Sequence, residues 1–169
     1  MRTFLALVAA LILGGGVAWA DGCPTVVSST TPYACTRTVF NDSGSTLTSG
    51  RIVVYDQADT DFNVTGAPYV ITSTTQDDPW TAGVIDSASC ADQTLCSMIY
   101  YGYTNKMLLN DSGDAAPVDT HIGNSATAGI AGGYATAADT CRVGTVIDML
   151  NLDGADNQPI SAWVDVQCD

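Results

Sequence analysis

The sequence predicts an all-β protein, a small β-barrel or β-sandwich of about 8–10 short antiparallel strands held by disulfides. Three observations carry that reading. Beyond residue 20 the chain is rich in Val, Ile, Thr and Tyr, and Gly or Asx residues interrupt it at spacings of roughly eight to twelve positions, the rhythm of short strands and turns. No stretch carries apolar residues at i, i+3, i+4 and i+7, the spacing of a helix with one buried face. All six cysteines lie after residue 20.

The first element is a leader. Residues 1–20, MRTFLALVAALILGGGVAWA, combine Arg2 with an apolar run from Phe4 to Leu13 and end on Ala18-Trp19-Ala20, the small-x-small pattern that signal peptidases cut after. The run is shorter than the roughly 20 residues that span a bilayer and is broken by Gly14-Gly15-Gly16, which favours a signal peptide over an anchor. Removing 1–20 leaves 21–169 as a single β domain with an N-terminal extension over 21–35. Candidate strands follow in order: Thr36 to Phe40, Arg51 to Asp56, Tyr69 to Thr74, Ala82 to Asp86, Ser97 to Tyr103, Lys106 to Leu109, Thr120 to Gly123, Gly129 to Tyr134, Arg142 to Met149 and Ile160 to Gln167. Tyr103-Thr104-Asn105-Lys106 reads as a tight hairpin turn, with Asn supplying a positive φ. Ala126 to Ala138 is rich in small residues, but Gly129, Gly132 and Gly133 would each cost about 1 kcal/mol inside a helix, so a strand or glycine-rich loop is expected.

An even number of cysteines in an exported chain implies three disulfides among Cys23, Cys35, Cys90, Cys96, Cys141 and Cys168. Of the 15 possible pairings, the sequential one is expected, because short hairpins make neighbours in sequence neighbours in space. With a single histidine and no C-x-x-C pair, a zinc site is a poor fit. The formal net charge is −13, with all 18 acidic residues Asp and none Glu. Such a surface repels nucleic acid and anionic lipid, so neither nucleic acid nor, once the signal is gone, membrane is an expected partner. Asp suits turns and caps, which places the acid in loops.

The tetrapeptide NDSG occurs twice, at 41–44 and 110–113, each time after a short apolar run. Asn and Asp bond their own backbone downstream and Gly supplies a left-handed position, so NDSG reads as a corner, and the two copies suggest an internal repeat. Both copies, with Asn63-Val64-Thr65, also match the N-glycosylation sequon.

The remaining candidates for chemistry are incomplete. Asp59, Asp61 and Asn63 alternate as in the first half of a calcium loop, yet Val64 stands where its glycine belongs and Val70 where its closing Glu belongs; Asp153 and Asp156 form a second partial set. Calcium is therefore the one cofactor the sequence offers. His121 follows Asp119-Thr120, but Ser125 lies in GNSAT rather than a G-x-S-x-G elbow, and no base flanks Ser43 or Ser112. Eighteen Asp make carboxylate pairs unavoidable by chance, which leaves no glycosidase signature. Tyr100, Tyr101 and Tyr103 with Trp80 and Trp163 are candidates for a sugar-binding face, and Tyr101 and Tyr103 for a partner surface. Val26 and Val27, in DGCPTVVSSTTP (21–32), are candidates for strand addition to a neighbouring sheet edge.

In the order of its turns the segment 41–146 resembles small β-barrel decoration (cement) proteins of tailed bacteriophage capsids. The residues that carry the likeness are NDSGSTLTSGRIVVYD (41–56), DPWTAGVID (78–86), YYGYTNKMLLND (100–111) and NSATAGIAGGYA (124–135) running into GTVIDML (144–150). The resemblance implies an SGxxLxxG turn, a closing YGY hairpin, attachment to a protein shell and no catalytic residues. The export signal and the cysteines depart from that family and place the barrel outside a cell. The expectation is a secreted, non-enzymatic structural protein that self-assembles into, or decorates, an extracellular filament, sheath or surface layer. Its partners would be copies of itself or another extracellular structural protein. The alternatives are a monomeric carbohydrate- or calcium-binding module and a small hydrolase.

Overall fold

The computed structural model describes residues 23, 33–58, 66–75, 78–109, 121–125, 127–133, 141–148 and 158–168, and it places no helix among them. The strands are β1 (Ala34–Asn41), β2 (Leu47–Thr48), β3 (Ile52–Tyr55), β4 (Tyr69–Ile71), β5 (Thr81–Ile85), β6 (Ser89–Cys90), β7 (Thr94–Leu109), β8 (His121–Asn124), β9 (Ala131–Gly133), β10 (Cys141–Asp148) and β11 (Gln158–Cys168). The all-β expectation holds. The expected hairpin at Tyr103–Lys106 does not form: β7 runs through it for 16 residues. The reason is a bulge. Met107 pairs with Ile160 and Thr104 with Ala162, so β7 takes three steps where β11 takes two. Thr104 Oγ1 accepts the Lys106 amide at 3.2 Å, so the polar residues that read as a turn serve a bend within a strand. The YGY hairpin implied by the capsid-protein resemblance is replaced by the same continuous strand.

Strands β1, β4, β3, β5 and β7 close into a five-stranded barrel. β1 and β4 are parallel, pairing Phe40 with Tyr69 and Asn41 with Val70, and every other contact in the ring is antiparallel. Its interior holds Val39, Val53, Val70, Ala82, Ile85 and Met98, joined by Leu47 and Cys90 from the short β2–β6 pair. The chain then repeats the pattern. From β7 the sheet continues through β11, β10, β8 and β9 and returns to β7 in parallel, with Leu109 paired to Ala131 among the described residues. Leaving aside β2 and β6, each ring has the first strand parallel to the third, then antiparallel contacts from third to second, second to fourth, fourth to fifth and fifth to first. β7 is the last strand of ring one and the first of ring two.

The correspondence extends to single residues. Ile52, Val84 and Ile99 are paired across the second, fourth and fifth strands of ring one. His121, Thr145 and Trp163 are paired across the same strands of ring two. Next to each row the fourth strand carries a glycine where a Cβ would strike a fifth-strand carbonyl oxygen: 2.3 Å from Ile99 O at Gly83 and 2.2 Å from Trp163 O at Gly144. Aligning the two NDSG motifs also aligns Ile52 with His121. At the end of the first strand the match slips, since Asn41 pairs with Val70 and Leu109 with Ala131, making Leu109 rather than Asn110 the counterpart of Asn41.

The rings pack on each other. Ile52, Val84 and Ile99 point out of ring one and join Met107, Leu109, Ile122, Val143, Val146, Ile160, Ala162 and Val164 of ring two in one core. β5 is therefore buried along its whole length, on both faces. The disulfides follow the expected sequential pairing, Cys23–Cys35, Cys90–Cys96 and Cys141–Cys168.

Candidate functional site

The first NDSG is a structural corner, built around an amide. Asn41 is fully buried; its Nδ2 donates to Ser45 O at 2.8 Å and to Cys90 O at 3.0 Å, while Oδ1 accepts the Ser43 amide at 3.0 Å. Gly44 takes the left-handed conformation, φ 72°, and gives its amide to Asp92 Oδ1. The Gln93 side chain donates to Asp42 Oδ1, which ties the corner to the loop before β7. Ser43 Oγ donates to Ser45 O, so the serine belongs to the turn. An Asn41 side chain consumed in this way is closed to glycosylation in the folded protein, whatever its sequon. The second NDSG lies outside the described residues, as do Asn63 and Ser112.

The candidates for catalysis are not brought together. His121 and Ser125 stand at opposite ends of the β8 segment, His121 exposed and Ser125 buried. His121 Nδ1 lies 3.3 Å from Thr145 Oγ1, and Ser125 Oγ donates to Thr127 O within its own turn. Among the described residues no group of three or more His, Cys or Asp could hold a metal. The calcium candidates Asp59, Asp61, Asn63, Asp153 and Asp156 lie outside the described residues, and so do Val26 and Val27. Cys23, at the start of the N-terminal extension, is bonded to Cys35 on β1.

The aromatic residues divide into two groups. Tyr100 leaves the candidate face; it packs against the core of ring one under the Arg37 guanidinium, 5.5 Å from its ring centre. Tyr101 and Trp163 meet edge to face at 5.5 Å, and Tyr33 contacts both, edge to face with Tyr101 at 6.1 Å and roughly parallel to Trp163 at 6.5 Å. Tyr103 pairs with Trp163 across β7 and β11 and bonds Ser161 Oγ at 3.2 Å. Beside them Asp165 accepts from Arg142 at 2.8 Å and from Gln167 at 2.8 Å. Trp80 stands apart on the turn before β5, half exposed. Sequence reading missed Tyr33 and Thr145 as parts of this face. Only strand register assembles the row Tyr103, Trp163, Thr145 and His121, which runs across β7, β11, β10 and β8 on the outside of ring two.

No protein-family model and no curated protein matches this chain. Among solved structures the chain is similar to the head fiber gp8.5 N base of bacteriophage phi29, at 10% sequence identity and a TM-score of 0.48, over 77% of this chain and 94% of that one.

Proposed function

We propose that this chain is an exported, non-enzymatic structural protein that self-assembles into, or decorates, an extracellular filament, sheath or surface layer. The observation that carries the reading is how the polar side chains are used. Ser43, Asn41, Asp78 and Ser125, the residue types a reaction would recruit, each bond within or between loops and hold the rings in shape. Six cysteines closed into intrachain disulfides suit an oxidising compartment and a body that persists there. The resemblance of 41–146 to capsid decoration barrels supports attachment to a larger protein surface. In this reading Val26 and Val27 add to a partner's sheet edge, and calcium is not required.

Electron microscopy and light scattering on residues 21–169 test it: ordered assemblies, or binding to an extracellular polymer of protein, are expected, and a protein that stays monomeric and binds no such surface would overturn it. A second reading is favoured by the Tyr33, Tyr101 and Trp163 cluster with Asp165 and Gln167 alongside, which matches the ring faces and hydrogen-bonding groups a neutral sugar needs. Tryptophan fluorescence that shifts saturably with a neutral oligosaccharide, in a protein that never assembles, would establish it instead.

A further inference from the structure

We propose that the peptide bond between Asp78 and Pro79 is a self-cleavage site, cut once per chain by the side chain of Asp78. Cleavage here adds to the structural role above and does not depend on it. Asp-Pro occurs once in the sequence. Its peptide nitrogen belongs to a tertiary amide and carries no hydrogen, and being more basic than an ordinary peptide nitrogen it leaves more readily once protonated. The fold surrounds this bond with the groups a ring closure needs. The Asp78 carbonyl oxygen accepts two hydrogen bonds, from the Thr81 hydroxyl at 2.6 Å and from the Thr81 amide at 3.1 Å. Thr81 is buried at the start of β5, where it pairs with Val54, so the barrel wall fixes both donors. The carboxylate is held as well: Oδ1 accepts the Trp80 amide at 3.0 Å and Oδ2 accepts the Ser73 hydroxyl at 2.6 Å. Pro79 and Trp80 are exposed, so water reaches the bond.

A carboxylate oxygen of Asp78 attacks the carbonyl carbon of the same residue and closes a five-membered ring. The carbonyl oxygen gains negative charge where Thr81 already aims two donors, the arrangement that lowers the barrier to acyl transfer. The C–N bond then breaks, the Pro79 nitrogen takes a proton from solvent, and a cyclic anhydride is left on Asp78. Water opens the anhydride to two carboxyl groups, so one peptide bond and one water are consumed and nothing is oxidised or reduced. Nucleophile and carbonyl belong to one residue, which removes the cost of bringing them together. Asp56 is the comparison within the chain. It makes the same side-chain turn, accepting the Ala58 amide on Oδ1 at 2.8 Å, but it precedes Gln57, an ordinary secondary amide, and no cut is expected there. The cut at Asp78 falls between β4 and β5, and no disulfide crosses it: Cys23–Cys35 lies before it, Cys90–Cys96 and Cys141–Cys168 after it. Strands β1 to β4 are then held in ring one by pairing and packing alone.

The test is mass spectrometry over time on the 21–169 protein, at the lowest pH at which circular dichroism shows the sheet intact, beside the same protein unfolded in urea at that pH. Any Asp-Pro bond is labile in acid, so the unfolded chain sets the background rate. Asp78→Asn, Thr81→Val and Thr81→Ser are followed in parallel, with circular dichroism of each. Three results together would support the proposal: fragments 21–78 and 79–169 forming about tenfold faster from the folded chain than from the unfolded one, a rate about tenfold lower in Thr81→Val and restored in Thr81→Ser, and no cut in Asp78→Asn. A folded chain cut no faster than the unfolded one would overturn it. So would a Thr81→Val protein cut as fast as the wild type, or a Thr81→Ser protein as slow as Thr81→Val, since the hydroxyl would then not be the cause. None of these outcomes bears on whether the protein assembles.

Discussion

Among the described residues ring one and ring two share a strand order and differ in how they close. Ring one closes through two parallel pairs between β1 and β4, extended by the Phe40 amide to Pro68 O and the Asp42 amide to Val70 O, and Asn41 hydrogen-bonds into the β6 backbone. Among the described residues ring two returns to β7 through the pair Leu109 and Ala131, and three ring-one side chains complete its core. Ring one encloses its own interior, whereas ring two is finished by its neighbour. The lesson is that a duplicated fold need not make two equal halves, because the copy that stacks on the other inherits part of its core.

Position-matched substitutions break this comparison most sharply. Val84→Asp puts a carboxylate with no partner between the rings, and a loss of about 4 kcal/mol or more is expected, enough to unfold both. Thr145→Asp, the same change at the counterpart position, should cost under about 1 kcal/mol because its strand face meets water. Chemical denaturation of the two variants measures the difference. Equal losses would mean that the ring-two row is already covered within the chain.

Next in size is the corner. Asn41→Leu installs the residue that ring two carries at the matching position, keeps the site filled, and strands Cys90 O, Ser45 O and the Ser43 amide. About 2–3 kcal/mol of stability should be lost, since buried groups left without partners forfeit solvation as well as the bond. A neutral outcome would show that ring one can close as ring two does, with an apolar residue there.

Much of this architecture was legible in the sequence. β1, β3, β5, β10 and β11 fall where β-branched residues alternate between turn signals, and two of the cysteine pairs join strands consecutive in the chain, Cys90 on β6 with Cys96 on β7 and Cys141 on β10 with Cys168 on β11. NDSG at 41–44 announced its Asx turn. The continuity of β7 was not legible, since a bulge and a hairpin turn call on the same polar residues, and Thr104-Asn105-Lys106 satisfies either. β2 and β6 are two residues each, too short for alternation to show. The two parallel closures leave no local pattern, because their partners lie far apart along the chain. The face on ring two escaped for the same reason: Tyr103, Trp163, Thr145 and His121 are scattered over 61 positions of the numbering and meet only through register.

The disulfides test the unequal closure with a smaller expected effect. Cys90–Cys96 spans 6 residues beside ring one and Cys141–Cys168 spans 27 across the last two strands of ring two. If both act by restricting the unfolded chain, loop length alone makes the longer bridge worth about 1.3 kcal/mol more. Replacing both cysteines of each pair by serine should therefore lower the unfolding midpoint more for Cys141 and Cys168. A gap well above that figure would show ring two leaning on its disulfide for closure, and a reversed order would show that ring one is the weaker closure.

The smallest effect expected is at Lys106 and Asp86, a 2.9 Å ion pair that links the β7 bulge in ring two to the loop after β5 in ring one. Both side chains are more than a third exposed, so solvent screens the pair and Lys106→Met should change stability by no more than about 0.5 kcal/mol, less in high salt. Its position still makes it informative. Lys106 Nζ also reaches Asp86 O, and nearby backbone bonds, Leu108 N to Gly50 O and Gly50 N to Ile85 O, already hold the same junction. If the rings are joined by that backbone network and the shared core, removing the pair leaves a single unfolding transition. If the ion pair were what couples them, Lys106→Met would split the transition in two, with hydrogen exchange rising first in β8, β9 and β10.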